Sequence, residues 1–235
     1  MKSANVSQFF QSAFSVDNVI FGFDEGDLKI LLVKRGEEPY NNMWALPGEL
    51  VFPHENLDEA ANRVLKQLTG LEKVYLEQVQ TFGKPNRHPL GRVITIAYFS
   101  LIKIDDFELA PSLWAKKAQW HSLSNLDNLA FDHNEIVEAC FQKLKRRVRV
   151  QPIGFELLPP KFTLTALQHL YEAILQSDPE KGIDKRNFRK KILAMNILVD
   201  CAELQEGVAH RPAKLYAFDK VRYESFLESG YAFEV

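Results

Sequence analysis

The chain has 235 residues, 46% hydrophobic and 26% charged, the composition of a globular protein with ample apolar material for a core. Its net charge of −2 excludes a global basic field, so contact with nucleic acid has to come from a local patch. No run is long and apolar enough for a membrane span, the N-terminus lacks a charged-then-apolar signal, and Cys140 and Cys201 show no CxxC or Cys/His spacing, which reads as buried, unbridged thiols in the cytoplasm.

Two apolar runs, "VDNVIFGF" and "LKILLVKR", predict strands joined by an acidic turn at Asp24–Asp27 that contains Gly26. "MWAL" leads into "LPGELVFPHENLDEAANRVLKQLTG", Leu46 to Gly70. There the spacing predicts an amphipathic helix over Leu57–Leu68, with Asn56 or Asp58 as N-cap and Gly70 as stop. Glu59 and Arg63, at i,i+4, form at most a modest surface pair. Positions 64, 67 and 68 share one helical face, where carboxylates would converge on a divalent metal; this chain has Val64, Gln67 and Leu68. "KVYLEQVQTF", "RVITIAYFSLIKI" and "AQWHSL" predict further strands, and a helix follows over about Asn134–Lys145. "KLKRRVRV" closes it with cations that suit the helix dipole.

Arg149 to Phe162, "RVQPIGFELLPPKF", carries three prolines and no helical period, and reads as a linker or docking strap. Beyond it, apolar residues at 164, 167, 170, 171, 174 and 175 predict a helix, capped by Thr163 or by Thr165 with Gln168. After the polar connection "SDPEKG", Asp184 caps a second helix with Phe188, Ile192 and Leu193 inward. Lys185, Arg186, Asn187, Arg189 and Lys190 are left mostly outward. "LVDCAEL", a turn at Glu206–Gly207 running on through "AHRP", and "AKLYAF" predict a hairpin with Arg211 near its turn. Helix, basic helix and hairpin describe a winged helix. Its basic helix is expected to enter a major groove, with Arg211 and Lys214 acting from the wing.

The Leu46–Gly70 stretch resembles the Nudix signature G-x5-E-x7-R-E-U-x-E-E-x-G-U: Glu55, Arg63, Leu65, Gly70 and Leu71 match their positions. Glu49 replaces the opening glycine, with Gly48 one place earlier, and Val64, Gln67 and Leu68 replace the acidic triplet. With "FDHNEIV", "LLPPKFTLTALQHLYEAIL" and "DKRNFRKKIL", the whole chain resembles the Nudix-related transcriptional regulators of NAD metabolism. In place of the loop expected there, similar to DPDRDPRGR, stands "GKPNRHPLGRV".

The resemblance implies an α/β fold, a Nudix-like α/β/α sandwich over residues 1–150 followed by a smaller winged-helix domain over 151–235. It implies a homodimeric repressor on palindromic operator DNA, with ADP-ribose or a related NAD-derived nucleotide as effector and no cofactor. No catalytic or metal-binding set is expected, because the metal-holding acids are missing from the triplet, although Glu49, Glu55 and Glu59 remain. The effector pocket is expected beside Glu49–Arg63. Arg35, Glu49, Glu55 and Arg92 are its polar candidates, and Trp44, Phe52 and Phe82 its aromatic ones. His54, His88, His121, His133, His169 and His210 are scattered and read as surface or packed side chains. A pentose-sensing repressor of the same architecture is the alternative, and an active Nudix pyrophosphatase a further one.

Overall fold

The structure, a computed structural model, describes residues 12–24, 26–72, 74–104, 109–111, 114–175, 184–207, 211–228 and 233. The Ser177–Gly182 segment and residues 208–210, which hold part of the expected turn and His210, lie outside the described residues. Two compact units emerge: Gly22 and the residues before it with Lys29–Phe141, and Phe23–Leu28 with Gln142 onward.

In the first unit, β1 (Ala13–Asp24), β2 (Asp27–Arg35), β3 (Trp44–Ala45), β4 (Gly48–Leu50), β5 (Glu77–Phe82), β6 (Val93–Leu101) and β7 (Ala115–Ser122) form one mixed sheet. Its order is β3-β2-β1-β6-β5, with β4 paired to β1 and β7 to β2. β1 and β6 run parallel from Ala13↔Val93 to Phe21↔Leu101, and β4 meets β1 antiparallel at Ser15–Asp17. β1 is buried from Ser15 through Gly22 because both sheet faces are covered, which is why its sequence lacks alternation. Val16 and Ile20 pack into apolar clusters with α1 (Leu57–Thr69), while Phe21 meets Phe141 of α2 (His133–Val150), ring centroids 6.4 Å apart.

Asn56 caps α1 in a full capping box: its side chain accepts from Glu59 N, and Glu59 accepts from Asn56 N. Gly70 ends the helix at φ +83°, a left-handed conformation suited to glycine. The expected Glu59–Arg63 pair does not form, since Glu59 is committed to the cap and Arg63 turns the other way. α2 extends to Val150, so the basic "KLKRRVRV" segment is helical throughout.

In the second unit, β8 (Phe162–Thr163), α3 (Leu164–Leu175), α4 (Lys185–Ala194), β9 (Leu198–Leu204), β10 (Lys214–Phe218) and α5 (Lys220–Glu228) follow, with sheet order β8-β10-β9. Thr163 is the cap of α3, its hydroxyl accepting from Ala166 N, and Asp184 caps α4 by accepting from Asn187 N. Of the two readings of the proline-rich stretch, linker or docking strap, its buried residues fit the second. Pro152–Leu157 forms a 3-10 turn whose Phe155 and Leu157, with the following Leu158, are buried; Phe155 stacks on Phe218 at 4.4 Å. Leu193 is exposed rather than inward, leaving Phe188 and Ile192 to bury the helix. Cys140 is buried and Cys201 only half-buried. Helix α5, capped by Asp219 on Arg222 N, lies beyond the elements read from the sequence.

Candidate functional site

Where Nudix-type acids would stand, α1 turns apolar side chains inward. Val64 and Leu68 are each 1% exposed, packed with Val16, Val33, Ile96 and Tyr98. Gln67 accepts from Arg63 Nη1 at 3.1 Å. The rest of the Arg63 guanidinium forks onto Glu55 at 2.8 and 2.6 Å, with Nη2 also donating to Leu50 O. Arg63 holds the Glu55 carboxyl down at about 2, with burial opposing it. Phe52 is covered by the Arg63 guanidinium at 4.1 Å and stacks on His54.

Arg63, Glu55 and Phe52 are not among the residues that line the cavity. The cavity has a volume of about 450 Å³ and is lined by β1, Leu46 with the Gly48–Leu50 strand β4, the 88–93 loop, Trp114 and the start of α2. Of the sequence candidates, Arg35, Glu49 and Arg92 line it; Trp44, Phe52, Glu55 and Phe82 lie outside its lining. Trp44 instead packs edge-on against His121. Aromatic walls come from Trp114 and Phe131, which clasp the Arg35 guanidinium at 4.7 and 5.0 Å. Arg35 Nε donates to Pro39 O, so one edge of the fork is fixed by backbone. Burial pushes the Arg35 pKa down while Glu49, Glu37, Glu38 and Asp17 support its charge. Glu49 accepts from Trp114 Nε1 at 2.7 Å, and Arg92 donates to Gly83 O at 2.6 Å.

Beneath the cavity sits a buried polar cluster. Thr95 donates to Asp17 Oδ2 at 2.6 Å, and Arg87 forks onto Asp132 at 3.0 and 2.7 Å while its Nη2 lies 3.6 Å from Asp17. His133 Nδ1 accepts from Leu46 N at 2.9 Å, so its proton sits on Nε2, 3.5 Å from Asp17 Oδ1. Burial is the main cause lowering its pKa, which favours neutral imidazole. Gly48 is required beside this cluster: a Cβ there would stand 1.9 Å from Asp17 Oδ1. The glycine one place early in the signature is therefore set by Asp17. Lys84 adds an exposed clamp from the 83–92 loop to Glu135 of α2.

Sequence reasoning missed Asp17, Arg87, Trp114, Phe131 and Asp132, and treated His88 and His133 as ordinary histidines. His88 lines the cavity stacked on Phe131 at 5.1 Å. The available signals were "FDHNEIV" and Arg87, the first of the two arginines in "GKPNRHPLGRV".

In the second unit, Lys185, Arg186, Asn187 and Lys190 are exposed along α4. Arg189 is half-buried, donating to Thr165 of α3 at 2.9 Å, and its Nε is buried. Arg211 is exposed. Lys214 pairs across the hairpin with Asp200 at 2.8 Å, so its charge is partly answered within the wing.

Fold and site define a class: a Nudix-type ligand domain followed in the same chain by a winged helix. Residues 12–140 match the NUDIX domain family, and residues 154–218 match the NrtR DNA-binding winged helix domain. The chain is 34% identical over 223 residues to the ADPR responsive transcriptional repressor NtrR of Acinetobacter baylyi, covering 93% of this chain and 86% of that one. The chain belongs to this family of Nudix-domain transcriptional repressors. It also resembles the ADP-ribose pyrophosphatase of Methanocaldococcus jannaschii, 36% identical over 130 residues, 55% of this chain and 73% of that one. Shewanella oneidensis NrtR, crystallised with a 27mer DNA, superposes with a TM-score of 0.70 at 28% identity, covering 87% of this chain and 93% of that one. The NUDIX domain of that protein, crystallised with ADP ribose, superposes with a TM-score of 0.55 at 27% identity, covering 60% and 94%. Among the described residues no helix is long and apolar enough to cross a membrane.

Proposed function

We propose that this chain is a cytoplasmic, homodimeric repressor of NAD biosynthesis or salvage genes, with residues 1–150 binding effector and 151–235 binding a palindromic operator. ADP-ribose, or a related NAD-derived nucleotide, occupies the cavity and weakens the hold on DNA. The observation that carries this reading is the cavity itself. Arg35 and Arg92 offer donors suited to pyrophosphate oxygens, Glu49 and Asp17 offer acceptors suited to ribose hydroxyls, and Trp114 and Phe131 supply aromatic walls. The repressor relatives named for ADP-ribose response and solved with ADP ribose or DNA support the same ligands here.

The chain binds this ligand without hydrolysing it. Metal-assisted attack on phosphorus needs oxygen ligands on α1, and Val64 and Leu68 instead belong to the apolar core. Likeness to a pyrophosphatase favours the competing enzymatic reading. Magnesium-dependent turnover of ADP-ribose at about 1 per second or faster would establish it.

On α4, Arg186, Asn187, Lys185 and Lys190 face the groove, with Arg189 partly held back by Thr165 and Arg211 and Lys214 acting from the wing. Calorimetry of ADP-ribose with and without operator tests the switch. Coupling of about 1–3 kcal/mol is expected, and linkage demands that operator weaken ADP-ribose by the same factor. Equal affinities in both titrations leave no switch, and a pentose binding in place of ADP-ribose identifies a sugar sensor.

A further inference from the structure

We infer that Asp17 and His133 form a reader for a sugar hydroxyl at the floor of the cavity, selecting effectors that end in an unphosphorylated sugar. The inference rests on the nucleotide-effector reading above and names which end of the ligand goes deepest. Both residues line the cavity, and both side chains are nearly buried. The His133 tautomer is set by the Leu46 N–H on Nδ1, which leaves Nε2–H as a donor. Among the described residues, Asp17 Oδ1 accepts no hydrogen bond and lies 3.5 Å from that Nε2, while Oδ2 is already held by Thr95 and approached by Arg87.

A donor and an acceptor side by side, too far apart for a good bond to each other, suit one chemical group above others. A hydroxyl accepts from Nε2–H and donates to Oδ1 at once. A phosphate oxygen can only accept, so it would set negative charge against the Asp17 carboxylate. The surroundings reinforce this choice. Asp17 and Asp132 are two carboxylates that share the Arg87 cation, Arg35 divides its charge between Asp17 and the three glutamates Glu49, Glu37 and Glu38, and neutral His133 adds no positive charge. The other cavity acids, Glu37, Glu38 and Glu49, stand with Arg35, whereas Arg92 comes from the 88–93 loop. Pyrophosphate oxygens therefore go to the arginines and the sugar goes to the floor. Gly48 keeps Oδ1 reachable, because any side chain there would collide with it.

The test is calorimetric titration of the full chain with ADP-ribose and with ADP, for wild type and Asp17→Asn, with a thermal melt verifying that the variant is folded. Wild type is expected to prefer ADP-ribose over ADP by about tenfold or more. Asp17→Asn is expected to weaken ADP-ribose by about tenfold or more while leaving ADP unchanged or tightened, since it removes both the acceptor charge and the repulsion. Equal wild-type affinity for the two ligands overturns the inference and needs no variant. A variant that weakens both ligands alike, or neither, overturns it too. Wild type that binds no ADP-ribose overturns the nucleotide reading itself, and the floor assignment with it.

Discussion

Two buried regions of the first unit, the apolar cluster around α1 and the polar cluster at the cavity, have opposite chemistry. On α1, the face that a Nudix hydrolase fills with carboxylates is made of Val64 and Leu68, sealed among Val16, Val33 and Ile96. At the cavity floor, Asp17, Arg87 and Asp132 form a buried ion-pair set, with only 3% and 7% of the Arg87 and Asp17 side chains exposed. Burying charge is unfavourable unless it is paired, so a charged set persists only where each member has a partner. Thr95 and Arg87 hold Asp17, and the Arg87 fork holds Asp132. The difference separates reaction from recognition. On the function proposed above, hydrolysis would need carboxylates in the first region, and ligand reading uses the second.

Restoring an acid on α1 is the strongest way to break this comparison. Val64→Glu places a carboxylate without a partner in the apolar core, and a loss of about 4 kcal/mol or more in unfolding free energy is expected from urea melts. Hydrolysis should not return in that variant. A stable Val64→Glu protein that hydrolyses ADP-ribose would mean the face is an open metal site, not core.

Next in size is Arg87→Met, which leaves Asp17 and Asp132 without their shared cation. A loss of about 3–5 kcal/mol is expected by the same melts, against well under half of that for Lys84→Met, whose partner Glu135 is exposed. Similar losses for the two would show that the floor is wetter than its geometry indicates.

The contrast also explains what could be read from the sequence. Helix α1 was legible with both ends, because Asn56, Glu59 and Gly70 act within a few residues of one another. Arg35, Glu49 and Arg92 were legible as charged residues near a signature. The floor was not, since Asp17 and Thr95 are 78 positions apart and Arg87 and Asp132 are 45 apart, so only the folded sheet brings them together. The Pro152–Leu157 turn escaped for another reason. Its apolar residues follow neither a helical nor a strand period, although Phe155 stacks on Phe218 in the second unit's core. On α4 the basic pattern was visible, but nothing local told the exposed Arg186 from Arg189, which reaches Thr165 24 positions away.

That distinction yields a smaller effect. Arg186→Ala should weaken operator binding by about 1–3 kcal/mol with no change in the melting temperature, whereas Arg189→Ala should lower both. Band-shift titrations across a salt series give the first quantity and thermal melts the second. If Arg189→Ala leaves the melt untouched, its contact with Thr165 is not part of the folded core and Arg189 rejoins the groove-facing set.

The smallest effect concerns what remains of the signature, the Glu55–Arg63 pair. Arg63 fans out to Glu55, Gln67 and Leu50 O, so it clamps the 50–55 loop onto α1 and lies outside the cavity lining. The folded Glu55 pKa of about 2 lies below its ordinary value of 4.5, so the charged form favours folding. The sign follows directly: the contribution is complete above about pH 4.5 and disappears as the pH falls toward 2. Glu55→Gln should therefore be less stable than wild type by about 1–2 kcal/mol at pH 6, a figure reduced for the solvent reaching Arg63. The two proteins should converge by about pH 2. A gap that persists unchanged at pH 2 would show that the clamp works by shape and not by charge. ADP-ribose affinity should be the same for both at pH 6, because the pair lies outside the cavity lining; a large loss on Glu55→Gln would carry the ligand site across to the α1 side.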